Sequence, residues 1–471
     1  MRRRGNRRGS GIGAIVFILF ILIGAVVAAG YIYTAKDFER ETPTIETPKF
    51  SYWNTKNPLQ ITLRDNFGLK SYQVYLSDGS QEVLVANEEN IVPTVEKVVS
   101  IQYPKESNLD KKAKTLQLKI KVTDSSKWNY LLGNSLQQSL ELKIDSRRPN
   151  VNILSNSYSI TQGGSALVIF QASDDDAIST VYVEAAGQKY KAQPYKKEGY
   201  FVALFAWPFR ESSFKANVVA KDKAGNTKIS EIPLYIKNRS YRTSWIQASD
   251  KFIDGKITDL AEMDAKYMKA DKLKRLKAIN ETMRIDNENL IKKYTTNVSN
   301  EILKKWKINK FYPLRNGKKV AHFGDDRHYY YDTKENEISQ SYHLGYDMAS
   351  TQMATLRTSN DGVIVFAEYN GIYGNMPIID HGLGLYTLYG HCATLAVKEG
   401  DKVKAGDKIA QTGTTGLALG DHLHFGILVQ GVEVRPVEWL DSKWIKDNID
   451  KVFNDADTII FPKPVQTKQN K

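Results

Sequence analysis

Asp421-His-Leu-His-Phe-Gly-Ile-Leu-Val429 reads as a β-strand, because its second half is apolar and nothing in it breaks an extended chain. On a strand the side chains at i and i+2 share a face, so His422 and His424 point one way while Leu423 and Phe425 turn toward a core. Two imidazoles on one face can both reach a metal centre, one as ligand and one just beyond it. A lone His-x-His pair carries little weight, since chance pairs are common. The distribution of histidine adds to it. The chain has 471 residues and seven histidines, and all seven lie between His322 and His424.

Two further segments hold the rest of the pattern: His343-Leu-Gly-Tyr-Asp347 and His381-Gly-Leu-Gly-Leu-Tyr-Thr-Leu-Tyr-Gly-His391. Imidazole with carboxylate is a common zinc ligand set, and His-Asp-His leaves a fourth tetrahedral position open, as catalytic rather than structural zinc sites do. Strands predicted over Gly362–Ala367, Met376–Asp380 and Leu385–Leu388 build an antiparallel sheet around these residues. No His-Glu-x-x-His helix is present, so a glutamate base of that kind is not available. The one cysteine, Cys392, follows His391; neighbours on a strand face opposite ways, so it reads as a small core residue rather than a nucleophile. One thiol also leaves the domains without an internal disulfide.

From about Tyr312 to Asp441 the chain resembles the lysostaphin-like (LytM-type) zinc endopeptidase family. The matching elements are the His-x-Gly-x-Asp box at His343 to Asp347, the Tyr-x-His box at Tyr389 to His391, and the His-x-His box at His422 to His424. Between them lies the turn-and-strand signature Val403-Lys-Ala-Gly-Asp-Lys-Ile-Ala-Gln-Thr-Gly-Thr-Thr-Gly416. The resemblance implies that His343, Asp347 and His424 ligate one zinc ion, with His391 and His422 as the two catalytic histidines beside it. It implies amide hydrolysis in peptidoglycan stem peptides or cross-links. His381 is expected to be structural, and His322 and His328 to lie at the surface. The rival from another class is a catalytically inactive relative that activates or scaffolds another cell-wall hydrolase. The presence of all five residues counts against it.

Working outward, the expected fold is mainly β. An antiparallel peptidase domain (310–442) follows two immunoglobulin-like sandwich modules (45–147 and 148–240) and a helical segment (248–308). A C-terminal tail (443–471) ends the chain. The modules read as a repeat: Asp65 through Leu76 resembles Asp174 through Ala185, and Leu116 to Asp124 resembles Phe214 to Asp222. Alternation is clear from Leu116 to Val122. In the helical segment Ser249-Asp250 offers a cap, and Leu273, Leu276, Ile279, Met283 and Leu290 recur at helical spacing. Its place directly before the peptidase domain suggests that it lies over the catalytic groove and restrains it.

Residues 1–40 read as a basic cytoplasmic tail and a transmembrane anchor. The stretch from Gly9 to Ala35 has no charge and follows five arginines, at 2, 3, 4, 7 and 8. A cleaved signal peptide, cut near Ala28-Ala29, is the competing reading. Either way the bulk of the chain is expected on the outer (periplasmic) side of the cytoplasmic membrane. Hydrophobic residues at 41% exclude a largely disordered chain. The net charge of +13 suits an anionic polymer or lipid surface, and no basic run interleaved with aromatics points to nucleic acid.

Overall fold

A computed structural model describes residues 11–47, 51–92 and 94–462. The arginines at 2–8 lie outside the described residues. Helix α1 (Gly11–Thr34) has no charged residue and no buried side chain, and is long and apolar enough to cross a membrane. At 1.5 Å per residue its 24 residues rise about 36 Å, against roughly 30 Å of bilayer hydrocarbon.

Two compact units follow from the contacts of the chain, one made of Met1–Arg147 with Lys223–Asn226, the other of Arg148–Asp222 with Thr227–Lys471. The first holds a β-sandwich. Its larger sheet has five strands, with β1 (Leu69–Ser77) beside β2 (Thr115–Asp124), and three strands make the smaller one. Period-two alternation decides which face is inside: Leu116, Leu118, Ile120 and Val122 of β2 are buried, while the residues between them reach solvent.

The second unit begins with a sandwich of two four-stranded sheets, in one of which β3 (Ile178–Ala185) pairs with β4 (Ala216–Asp222). Here the alternation fails. Residues Ser165 to Phe170 are buried without a break, because both faces of their strand are covered. The cover comes from the stretch read as a tail: Ser442–Ile445, Lys446–Asp450 and Lys451–Ile460 are helical, and Ile449, Val452, Phe453 and Ala456 bury against that sheet. Residues 463–471 lie outside the described residues. Ser157 Oγ donates to Asn448 O at 2.8 Å, and Trp439 Nε1 donates to Ser165 Oγ at 3.1 Å. Second sandwich and peptidase domain therefore share one hydrophobic core.

The helical segment runs through Asp250–Phe252, Ile253–Ile257 and Thr258–Glu262, then Lys272–Lys277, Ala278–Met283 and α2 (Arg284–Thr295). Ser249 and Asp271 cap its two halves through their side chains. Its stripe of Leu276, Ile279, Met283 and Ile291 packs on the peptidase sheet at Met376, Ile378, Tyr386 and Leu388. That sheet has eight strands. Strand β5 (Glu337–His343) leads by a short corner into β6 (Tyr346–Ala349), and β7 (Gly362–Tyr369), β8 (Asn375–Asp380), β9 (Leu385–Gly390) and β10 (Leu423–Val429) follow. Within the sheet β6 lies beside β10, then β9, β8 and β7, all antiparallel. Strands β9 and β10 are buried along their whole length, so the centre of the sheet is a well-packed platform.

A shared core means that the second sandwich and the peptidase domain unfold together. Trp439→Ala should cost about 3–5 kcal/mol and lower amide-exchange protection equally in Ser165–Ser173 and in β10. Loss of protection in only one of them would separate the two.

Candidate metal centre

Register brings the distant boxes together. Asp347 of β6 lies directly across from His424 of β10, and Gly390 of β9 lies across from it on the other side. His343 ends β5, and the corner Leu344-Gly345 turns the chain so that Asp347 sits beside it. A Cβ at Gly345 would lie 2.4 Å from the His424 ring, and one at Gly390 would lie 3.2 Å from His424 Cβ. The glycine of the His-x-Gly-x-Asp box is thus the seat of a ligand's ring, which spacing alone does not reveal.

Three atoms meet at the centre. His343 Nε2 and Asp347 Oδ1 are 2.9 Å apart, His424 Nδ1 and Asp347 Oδ1 2.9 Å, and His343 Nε2 and His424 Nδ1 3.1 Å. The tautomer of His343 is fixed, because its Nδ1 lies 2.7 Å from His322 O and must donate to that carbonyl. Its Nε2 faces the Asp347 carboxylate oxygen. His343, Asp347 and His424 are all buried, at 5%, 7% and 5% exposure. Burial by itself would raise the Asp347 carboxyl, but the imidazoles of His343 and His424 outweigh it and hold it well below the usual range. Burial pushes the His424 imidazole down to about 4, which keeps it neutral and able to ligate.

Nitrogen, nitrogen and carboxylate oxygen are the donor set of zinc. Bonds of about 2.0–2.1 Å to a tetrahedral ion put neighbouring ligand atoms about 3.3 Å apart, close to the spacing found here. These residues fit a zinc ion once the three atoms spread by a few tenths of an ångström from their 2.9–3.1 Å separations. Asp347, His343 and His424 also form the one group of potential metal ligands in the described residues that includes histidine.

His391 and His422 stand beside this triangle, with ring centroids 4.7 Å apart. His391 Nδ1 donates to Thr415 O at 2.9 Å and His422 Nδ1 to Gly420 O at 2.7 Å, so the Nε2 of each is turned away from the backbone. His422 Nε2 is 3.7 Å from Asp347 Oδ2. Burial first, then the neighbouring histidines, push His391 down to about 3. It also sits at φ 64°, a costly left-handed conformation for a residue with a Cβ, as side chains aimed by strained backbone often do.

The five side chains line a cavity of about 780 Å³, together with Arg327, Tyr373, Leu419 and, from the helical segment, Phe252 and Lys256. Lys256 Nζ donates to Thr414 O at 2.7 Å, tying that wall to the loop before β10. Arg327 Nη2 is 4.0 Å from Asp347 Oδ2, and the Tyr373 ring meets the His424 ring edge-on at 5.4 Å. Arg327 ends the segment Phe323-Gly-Asp-Asp-Arg327, which also resembles the family's, but no sequence pattern marks Tyr373.

The other candidates fall elsewhere. His381 is buried, with Nδ1 donating to Asp361 O and Nε2 bonded to Thr387 Oγ1, both at 2.8 Å. His328 bridges Asp326 and Glu337 and stacks on Trp245. His322 has an exposed side chain, yet its carbonyl orients a ligand, a role no side-chain pattern could announce. Cys392 is fully buried, and burial pushes its thiol up to about 12.

Fold and site together define a mainly β domain whose central strands carry a His-Asp-His centre open to a cavity. Residues 341–436 match the family profile "Peptidase family M23", and this C-terminal part of the chain is a domain of that family. The chain is 41% identical over 95 residues to "DD-carboxypeptidase/endopeptidase Mpg" of Neisseria meningitidis, covering 20% of this chain and 22% of that protein. It is 39% identical over 95 residues to "Peptidoglycan DD-endopeptidase ShyA" of Vibrio cholerae, covering 20% and 21%. Over 107 residues it is 36% identical to "Murein hydrolase activator NlpD" of Salmonella dublin, covering 22% and 28%. The chain thus spans between a fifth and three-tenths of the length of these relatives.

Gly345→Ala should force the His424 ring aside and weaken zinc binding about 10–100-fold in a chelator competition. An unchanged affinity would mean that the ring has room to move.

Proposed function

We propose that the chain is a membrane-anchored zinc metallo-endopeptidase that hydrolyses amide bonds in peptidoglycan stem peptides or cross-links, on the outer side of the cytoplasmic membrane. The observation that carries this reading is the meeting of two imidazole nitrogens and a carboxylate oxygen beside two further imidazoles in the lining of one cavity. The names of two matched relatives, a DD-carboxypeptidase/endopeptidase and a peptidoglycan DD-endopeptidase, support the substrate class. Helix α1, with the arginines that precede it, supports the anchor.

His343, Asp347 and His424 would hold the zinc ion, which when bound would supply Lewis-acid chemistry toward water and the scissile carbonyl. The rest falls to the chain. His391 is neutral and offers Nε2 to the proton that leaves the attacking water. His422 gives its Nδ1–H to Gly420 O, so its Nε2 would steady the developing oxyanion as an N–H donor only in the doubly protonated ring, which Asp347 Oδ2 at 3.7 Å favours. Arg327, held by Asp325 at 3.3 Å, places a positive charge 4.0 Å from the outer oxygen of Asp347. Lys256 and Phe252 narrow the cavity from the helical side, so the helical segment restrains access.

A second reading, a non-hydrolysing activator of another wall hydrolase, has the similarity to the Salmonella activator in its favour. Digestion of purified cross-linked muropeptides by the full chain separates the two. His391→Ala should retain zinc and lose about 10²–10⁴ in hydrolysis rate, whereas His343→Ala should lose both. An active His391→Ala enzyme would overturn the assignment, and a zinc-loaded wild type without hydrolysis would favour the activator.

Cutting the tie from Lys256 to Thr414 should open the cavity. A hydrogen bond of about 1 kcal/mol corresponds to about fivefold in the open population, so Lys256→Ala should raise kcat/KM by up to that factor. No change would remove the restraining role of the helices.

A further inference from the structure

Outside the peptidase domain, the chain builds a second constellation that hydrolysis does not use. Asp65 precedes β1, and Asp124 ends β2 at the register position paired with Leu69 of β1. Glu39 belongs to the connector that follows α1. Ligand atoms of these three carboxylates lie within 4.8 Å of one another. Their surroundings are polar but not cationic: among the described residues none of the three is in an ion pair. Asp65 Oδ2 accepts from the amides of Phe67 and Gly68 at 2.8 and 2.6 Å. Asp124 Oδ1 accepts from the amides of Ser126 and Asn134 at 3.0 and 2.8 Å. Asn134 Nδ2 donates to Glu39 Oε1 at 3.1 Å and to Asp124 Oδ2 at 2.8 Å.

One oxygen is left over. Asp65 is only 7% exposed, and its Oδ1 is buried with no hydrogen-bond partner. A buried, unsatisfied acceptor beside two further carboxylates is an expensive arrangement unless a cation completes it. Burial, followed by the charge of Asp124, accordingly raises the carboxyls of both Asp65 and Glu39.

We propose that Glu39, Asp65 and Asp124 hold a divalent cation of the calcium class where the connector meets the first sandwich. All the donors are hard oxygens, which suit calcium and not zinc. Bonds of about 2.3–2.6 Å let one ion span oxygens about 4.6–5.2 Å apart, and magnesium, with bonds of about 2.0–2.1 Å, reaches less far. The corner is already organised around the connector: Ser126 Oγ donates to Glu39 O at 2.7 Å, and Lys127 N donates to Asp37 O at 2.6 Å. A bound ion would fasten the sandwich to the segment emerging from α1 and fix its direction. The repeat carries the same geometry in the second module. There Asp222 ends β4 opposite Ile178 of β3, and Asp174 and Asp222 again bring ligand atoms within 4.8 Å.

Calorimetric titration of calcium chloride into the full chain in detergent, with zinc left in place, tests this. Saturable binding with a rise in unfolding temperature is expected, and Asp65→Asn should bind one calcium equivalent fewer with zinc content unchanged. Glu39→Gln, a half-buried connector position, should lose the same equivalent and serves if Asp65→Asn does not fold. No saturable binding by the wild type, or unchanged stoichiometry in the variants that fold, would overturn the proposal and leave a shared proton as the balancing charge.

Discussion

His343 Nε2, Asp347 Oδ1 and His424 Nδ1 lie within 3.1 Å of one another in a buried pocket, two imidazole nitrogens and a carboxylate oxygen turned to one centre. Such a donor set in a buried pocket suits a cation, which would balance the carboxylate and engage both imidazoles. The surrounding structure is arranged to keep it: the register of β6, β10 and β9 sets two of the three elements, Gly345 and Gly390 leave room for the His424 ring, and the His322 carbonyl locks the His343 tautomer. A slip of one residue between β6 and β10 would turn Asp347 to the opposite face and dissolve the site.

That dependence fits the placing of the site on the most deeply packed strands of the sheet. Strands β9 and β10 are buried end to end, the helical segment seals one side through Leu276, Ile279 and Met283, and the second sandwich shares a core with the domain through Trp439. The restraint has a second effect, since the helices that stiffen the platform also supply Phe252 and Lys256 to the cavity wall. Support for the sheet and part of the cavity lining are thus two consequences of one packing choice.

Much of this was legible in the residues. The alternation of Leu116 to Val122 gave a half-buried strand, and the i, i+2 rule correctly turned His422 and His424 to one cavity and Leu423 and Phe425 to the core. Other parts were hidden because they belong to the backbone or to tertiary contact. The His322 carbonyl has no side-chain signature, and Arg327 and Tyr373 become neighbours of the centre only after folding. Ser165 to Phe170 reads as a buried run without telling what buries it, and the answer lies in helices almost 300 residues later that short charged stretches disguised as a tail. Local pattern records which face is apolar; it does not record the partner.

X-ray absorption at the zinc edge of the purified full chain addresses the central claim most directly. Light scatterers at about 2.0–2.1 Å are expected, with outer-shell features of two imidazoles and no scatterer at about 2.3 Å where a thiolate sulfur would fall. Absence of stoichiometric zinc, or a first shell with only one imidazole, would contradict a centre shared by His343, Asp347 and His424.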